Sequence, residues 1–204
     1  VSSHRTVVGA DTVFDRIRRV RLVPVIRVQQ AATARELVER LIVAGIDVIE
    51  VTTTIEGWDE VIQTIKRTNS EVCVGAGTVT TPAFAERAVA VGAEFCVSPC
   101  LVPAVRTALE PAGIPLLEGG LTPTEVLGAA RHGVAKLFPA HVGGVRYLRS
   151  LLAVAPEARI MPTGGIPLAD AARWLEAGAF AIGIGGDLTA PGDIAARVRE
   201  ALDQ

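Results

Sequence analysis

A chain of 204 residues, half of them apolar, with 20 basic side chains against 22 acidic ones, can bury one sizeable core without disulfide or metal staples. Its net charge of -2, with no block of like charges, gives no electrostatic basis for nucleic acid or an anionic membrane as partner and leaves a small molecule as the expected ligand. No uninterrupted apolar stretch approaches the ~18 residues needed to cross a bilayer, and no charged leader precedes an apolar signal segment, so a soluble cytoplasmic protein is expected.

Residues 1–12 carry little pattern and read as a loose segment of an otherwise single domain over 1–204, with an extra helix expected at Asp11–Arg21. Short apolar runs then recur at Leu22–Val28, Asp47–Thr52, Val72–Gly77, Glu94–Ser98, Ile114–Leu117, Val134–Phe138, Arg159–Thr163 and Phe180–Gly185, which makes eight strand candidates. Between them lie helical stretches such as Ala31–Ala44, Pro82–Gly92, Thr122–Gly133 and Leu168–Gly178, several closing on glycine. Strict βα alternation with a count of eight predicts an α/β fold of the (β/α)8 TIM-barrel kind. A doubly wound sheet is the alternative, but no Gly-x-Gly-x-x-Gly fingerprint follows the first strand. The odd cysteine count, Cys73, Cys96 and Cys100, reads as reduced core residues.

In a barrel, chemistry gathers at the C-terminal ends of the strands. Only two residues are lysine, Lys66 and Lys136, against 18 arginines. Lys66 lies in the polar stretch Gln63–Asn69 and is expected to be solvated. Lys136 lies in Val-Ala-Lys-Leu-Phe-Pro, where alternation places Val134, Lys136 and Phe138 on one face. Desolvating an ammonium disfavours its charged form and frees an amine that can attack a carbonyl. Glu50, sharing a face with Val48, Thr52 and Thr54, is a carboxylate suited to moving protons beside such an amine; the alternative is a structural ion pair with Lys136. Arg27 and Thr78 end the first and third strands, a combination suited to a carboxylate-bearing substrate, although an arginine there is often a rim charge. Gly164 and Gly165, then Gly185 and Gly186, follow the seventh and eighth strands, where backbone N–H groups hold phosphate in this fold; tight turns are the plainer alternative.

The segments Gly45-Ile-Asp-Val-Ile-Glu-Val-Thr, Val74-Gly-Ala-Gly-Thr-Val, Phe95-Cys-Val-Ser-Pro, Leu121-Thr-Pro-Thr-Glu, Lys136-Leu-Phe-Pro-Ala and Met161-Pro-Thr-Gly-Gly-Ile, in this order, resemble the KDPG/KHG aldolase family. Its members cleave 2-keto-3-deoxy-6-phosphogluconate or 4-hydroxy-2-oxoglutarate to pyruvate and an aldehyde. The resemblance, over about Leu22 to Leu188, implies a class I aldolase with Lys136 as Schiff-base lysine and Glu50 as general acid/base through a water. It implies Arg27, Thr54 and Thr78 at the pyruvyl carboxylate, Thr163 near the substrate hydroxyls, and Gly164, Gly165, Gly185 and Gly186 around phosphate. A homotrimer with no cofactor and no metal is also implied, and His4, His132 and His141 form no convincing ligand cluster.

Three positions depart from the family pattern. Gly186 stands where many members place a serine that touches phosphate. Glu118 replaces a usual proline near the mouth and is expected to repel an anion. His141 replaces a common glutamate. Trp58 and Gly185-Gly-Asp-Leu lean towards the galactonate epimer, Thr163 and Ser98-Pro towards the gluconate one. Two other functions fit parts of the pattern: a phosphate-binding barrel isomerase or epimerase, which needs the glycine loops but no imine lysine, and a catalytically silent sugar-acid-binding barrel.

Overall fold

The computed structural model describes residues 10–189 and 192–203, with α-helices and parallel strands in alternation. After α1 (Ala10–Val20) come β1 (Leu22–Ile26), α2 (Ala31–Val43), β2 (Val48–Thr52), α3 (Trp58–Thr68), β3 (Cys73–Gly77), α4 (Pro82–Ala90), β4 (Phe95–Val97) and α5 (Pro103–Leu109). The second half holds β5 (Leu116–Leu117), β6 (Gly119–Gly120), α6 (Pro123–Ala130), β7 (Val134–Leu137), α7 (Gly144–Val154), β8 (Arg159–Pro162), α8 (Ala171–Glu176), β9 (Ile182–Ile184) and α9 (Ile194–Asp203). Of the expected loose segment, residues 1–9 lie outside the described residues, whereas 10–12 already belong to α1.

The strands run β5-β4-β3-β2-β1-β9 in one sheet and β6-β7-β8 in another, all pairs parallel. At one seam Thr163 bridges Gly183, and Phe180 N–H donates to Ile160 O at 2.9 Å. At the other seam β5 and β6 are two halves of one strand, interrupted at Glu118. The ring therefore closes as a (β/α)8 barrel, with all eight expected strand regions in it.

Alternation divides each strand between two cores. Outward residues such as Ile49, Val51, Ala135, Leu137 and Ile160 join the helix-facing core, while Val23, Val48, Cys73, Phe95, Val97, Leu117, Val134 and Met161 fill the lower barrel interior. That interior needs a floor. Helix α1 supplies it by inserting Val13, Phe14 and Ile17 into the same cluster. Arg16 fastens the helix by donating to Asp47 O at 3.1 Å and to Glu71 O.

Two expectations about single residues fail. Lys66 is not freely solvated: it is half-buried and pairs with Glu94 at 2.6 Å, because the turn before β4 brings that carboxylate beside α3. Cys73 and Cys96 are buried, and burial pushes both thiols up to about 12, leaving them unreactive. Cys100 is exposed, since it lies past the end of β4 in the loop before α5 and not on an inward row.

Candidate active site

The site lies one inward layer above the valine floor. Val48 and Val134 belong to the lower core; two residues further along the same rows stand Glu50 and Lys136. Strands β2 and β7 are not neighbours in the sheet order, so these side chains meet across the barrel, with Lys136 Nζ 3.6 Å from Glu50 Oε1. Both are buried, at 3% and 0% exposure, which makes this the ion pair most fully withdrawn from water among the described residues. Neither carboxylate oxygen of Glu50 accepts a hydrogen bond from the described residues. Buried polar atoms are rarely left so, because an unpaired group forfeits its hydration without return. The Phe138 ring lies 5.2 Å from Lys136 Nζ and covers one side of the ammonium.

Two glycines make room for these side chains. A Cβ on Gly77 would lie 2.1 Å from Glu50 Oε1, and one on Gly183 would lie 2.3 Å from Thr163 Oγ1. Neither contact is tolerable, so β3 and β9 carry glycine beside Glu50 and Thr163. Sequence reasoning missed both roles; the available signal was a glycine within an apolar run.

A cavity of about 240 Å³ opens above the pair. It is lined by Lys136, Phe138, Thr163, Val25 and Arg27 together with Gly164, Gly165, Gly185 and Gly186. Seven expected site residues are thus brought to one space. Thr78 joins through Arg27, whose Nη2 donates to Thr78 Oγ1 at 3.0 Å. Thr78 has a φ of 60°, in the left-handed region uncommon for a threonine, and its carbonyl accepts from Thr53 Oγ1 at 2.9 Å. Thr54 is exposed at the rim and lies 2.9 Å, hydroxyl to hydroxyl, from Thr52, which itself donates to Ile26 O. It does not line the cavity. Among the described residues no group of three or more His, Cys, Asp or Glu side chains is arranged to hold a metal.

Glu118 does not repel an anion at the mouth. Since Leu117 faces inward, Glu118 faces the helices, where it is buried, pairs with Arg106 and accepts from Val102 N–H at 2.9 Å. Its backbone carbonyl takes the Lys136 N–H at 2.8 Å.

A parallel (β/α)8 barrel with a buried lysine facing a buried carboxylate across its interior suits an aldehyde-lyase, the class to which its relatives belong. Residues 13–200 match the family model described as KDPG and KHG aldolase, and the chain belongs to that family. It is 35% identical over 167 residues, 80% of each chain, to the 2-dehydro-3-deoxy-phosphogluconate aldolase of Treponema pallidum. The 2-keto-3-deoxy-6-phosphogluconate aldolase of Zymomonas mobilis, solved with 3-phosphoglycerate, superposes with a TM-score of 0.80 at 30% identity, covering 92% of this chain and 94% of that one. The KDPG aldolase of Legionella pneumophila, solved with pyruvate captured as a covalent carbinolamine, gives 0.78 at 28% identity, covering 93% and 94%.

Proposed function

We propose that the enzyme cleaves a 2-keto-3-deoxy-6-phospho sugar acid to pyruvate and glyceraldehyde 3-phosphate through an imine on Lys136. The observation that carries this reading is the buried Lys136–Glu50 pair, 3.6 Å apart, with no hydrogen-bond partner for the carboxylate among the described residues. A pair kept for stability would be expected to satisfy its remaining lone pairs. The covalent carbinolamine of the Legionella relative supports the same chemistry.

In this reading the Lys136 amine adds to the C2 carbonyl, giving a carbinolamine, and Glu50, through a water, donates the proton with which its hydroxyl leaves as water. The resulting iminium accepts the electron pair of the C3–C4 bond as the Glu50 carboxylate, again through the water, takes the proton of the C4 hydroxyl. The aldehyde departs, and the enamine is protonated at C3 by Glu50 or its water before hydrolysis releases pyruvate and restores the amine. Arg27 and Thr78 hold the pyruvyl carboxylate, with Thr54 left outside at the rim, Thr163 faces the hydroxyls, and the four glycines offer backbone N–H groups to the phosphate. The continuity of one cavity from Lys136 to both glycine pairs supports a substrate with an anion at its far end. The same reading makes the protein a cytoplasmic homotrimer, which sedimentation of the purified protein tests.

The decisive comparison is kcat/KM for the gluconate and galactonate 6-phospho keto acids, their unphosphorylated forms and 4-hydroxy-2-oxoglutarate. The phosphorylated acids are expected to win. Equal efficiency without phosphate would make the glycine pairs turns only, and no cleavage of any of them would remove the reading.

A further inference from the structure

The two glycine pairs sit on separate loops, just past the bridge between Thr163 and Gly183. Gly164 and Gly165, at φ 94° and 68°, follow β8, whereas Gly185 and Gly186 follow β9. The Asp187 side chain joins the loops. The Asp187 carboxylate, next in the chain after Gly186, accepts the Leu168 N–H at 2.8 Å, three residues beyond Gly165. Asp187 is itself held from the outer shell, because Arg197 Nη1 on α9 donates to its carbonyl at 3.0 Å. On its other flank the first loop rests on His141, whose N–H donates to Gly164 O at 3.2 Å and whose ring lies 2.5 Å from where a Gly165 Cβ would stand.

A carboxylate beside an anion site is repulsive unless it is turned to another task. At Asp187 the Leu168 N–H occupies it. Two short arms also bind an anion well only when their spacing is set before the ligand arrives, since ordering them on binding would subtract from affinity.

We propose that Asp187 is a positioning residue: by bonding Leu168 N–H it locks the two glycine loops in one register, so that both sets of backbone N–H groups meet the same anion. This rests on the reading of the cavity as the site of a 6-phospho-2-keto acid. Asp187 touches neither the reacting carbons nor the amine, so its effect falls on binding at the phosphate end.

The test measures kcat and KM for wild type, Asp187→Ala and Asp187→Asn on 2-keto-3-deoxy-6-phosphogluconate and on 4-hydroxy-2-oxoglutarate, with inorganic phosphate as competitive inhibitor. Asp187→Ala should raise KM for the phosphorylated acid and the inhibition constant of phosphate by about tenfold, the scale of one hydrogen bond involving a charged group. Its kcat, and both constants on 4-hydroxy-2-oxoglutarate, should stay within about twofold, a margin too small to count as a lost hydrogen bond. Asp187→Asn keeps an oxygen to accept the Leu168 N–H and removes the charge, so it should match or improve on wild type for phosphate. An unchanged KM in Asp187→Ala, an equal loss on both substrates, or a tenfold loss in Asp187→Asn overturns the inference while leaving the phosphate reading in place. A wild-type enzyme indifferent to phosphate both in substrate and as inhibitor overturns that reading, and the inference with it.

Discussion

On the inward rows of two opposed strands, a step of two residues separates Val48 from Glu50 and Val134 from Lys136. Below the step, valines, Phe95, Leu117 and Met161 pack with Phe14 and Ile17 of α1 in one apolar cluster. Above it the same rows present an amine, a carboxylate, a threonine hydroxyl and glycines. The floor follows from the hydrophobic effect alone. The mouth does not: burying an ion pair costs more than packing apolar side chains of similar volume, so stability gives no reason for it. Floor and mouth therefore fail differently when changed, one by losing stability and the other by losing rate.

The sharpest break is Glu50→Gln, which keeps the shape of the side chain and deletes its basicity. Cleavage should fall by ~10²–10⁴-fold, the usual scale for a general acid/base, while pyruvate still forms a trappable imine more slowly. Full activity in steady-state assays would move Glu50 from the chemistry to the scaffold. On the floor, Phe14→Ala should have the complementary effect. Phe14 is 4% exposed, its ring stands 5.0 Å from the Arg159 guanidinium and it fills the space beside Gly133. Its truncation should cost about 3–5 kcal/mol by denaturant melts, with kcat and KM of the folded enzyme unchanged. A large loss of kcat at a temperature well below the melt would contradict the division.

How much of this was legible beforehand follows the same line. The eight strands announce themselves because inward and outward faces are both buried, so each reads as an apolar run; the lysine and glutamate stand out against that background. Strand bounds were less legible where side chains break the run, as at Glu118, which splits the strand into β5 and β6 and bonds Arg106 from the next layer. Ion pairs between elements, such as Lys66 with Glu94, depend on which turns come together, and no local pattern carries that. Thr54 shares a face with Glu50 by alternation, but the strand ends at Thr52, and two residues later the row has left the cavity for the rim.

The smallest expected effect lies at the start of α6, on the outer layer against β6 and β7. Thr122 accepts the Glu125 N–H, and the Glu125 carboxylate accepts the Thr122 and Leu121 N–H groups, so the helix begins with a reciprocal cap. The Thr122 backbone N–H first, then that of Leu121, hold the Glu125 carboxyl below its ordinary 4.5. A depressed folded-state value means the cap's stabilisation is fully present above about pH 4.5 and is lost as pH falls through that lower value. Glu125→Gln should therefore melt a little below wild type at neutral pH, and the gap should close as the melts are taken below pH 4.5. A gap that persists in acid would assign the effect to packing and not to charge.

The most direct measurement of the central claim is reductive trapping. The enzyme is incubated with pyruvate and borohydride, digested, and its peptides weighed by mass spectrometry. The expected result is a reduced pyruvyl adduct on the peptide containing Lys136 and none on a peptide containing only Lys66, with the adduct and all cleavage activity lost in Lys136→Ala. An adduct confined to Lys66, or a Lys136→Ala enzyme that still cleaves at the wild-type rate, would contradict the account.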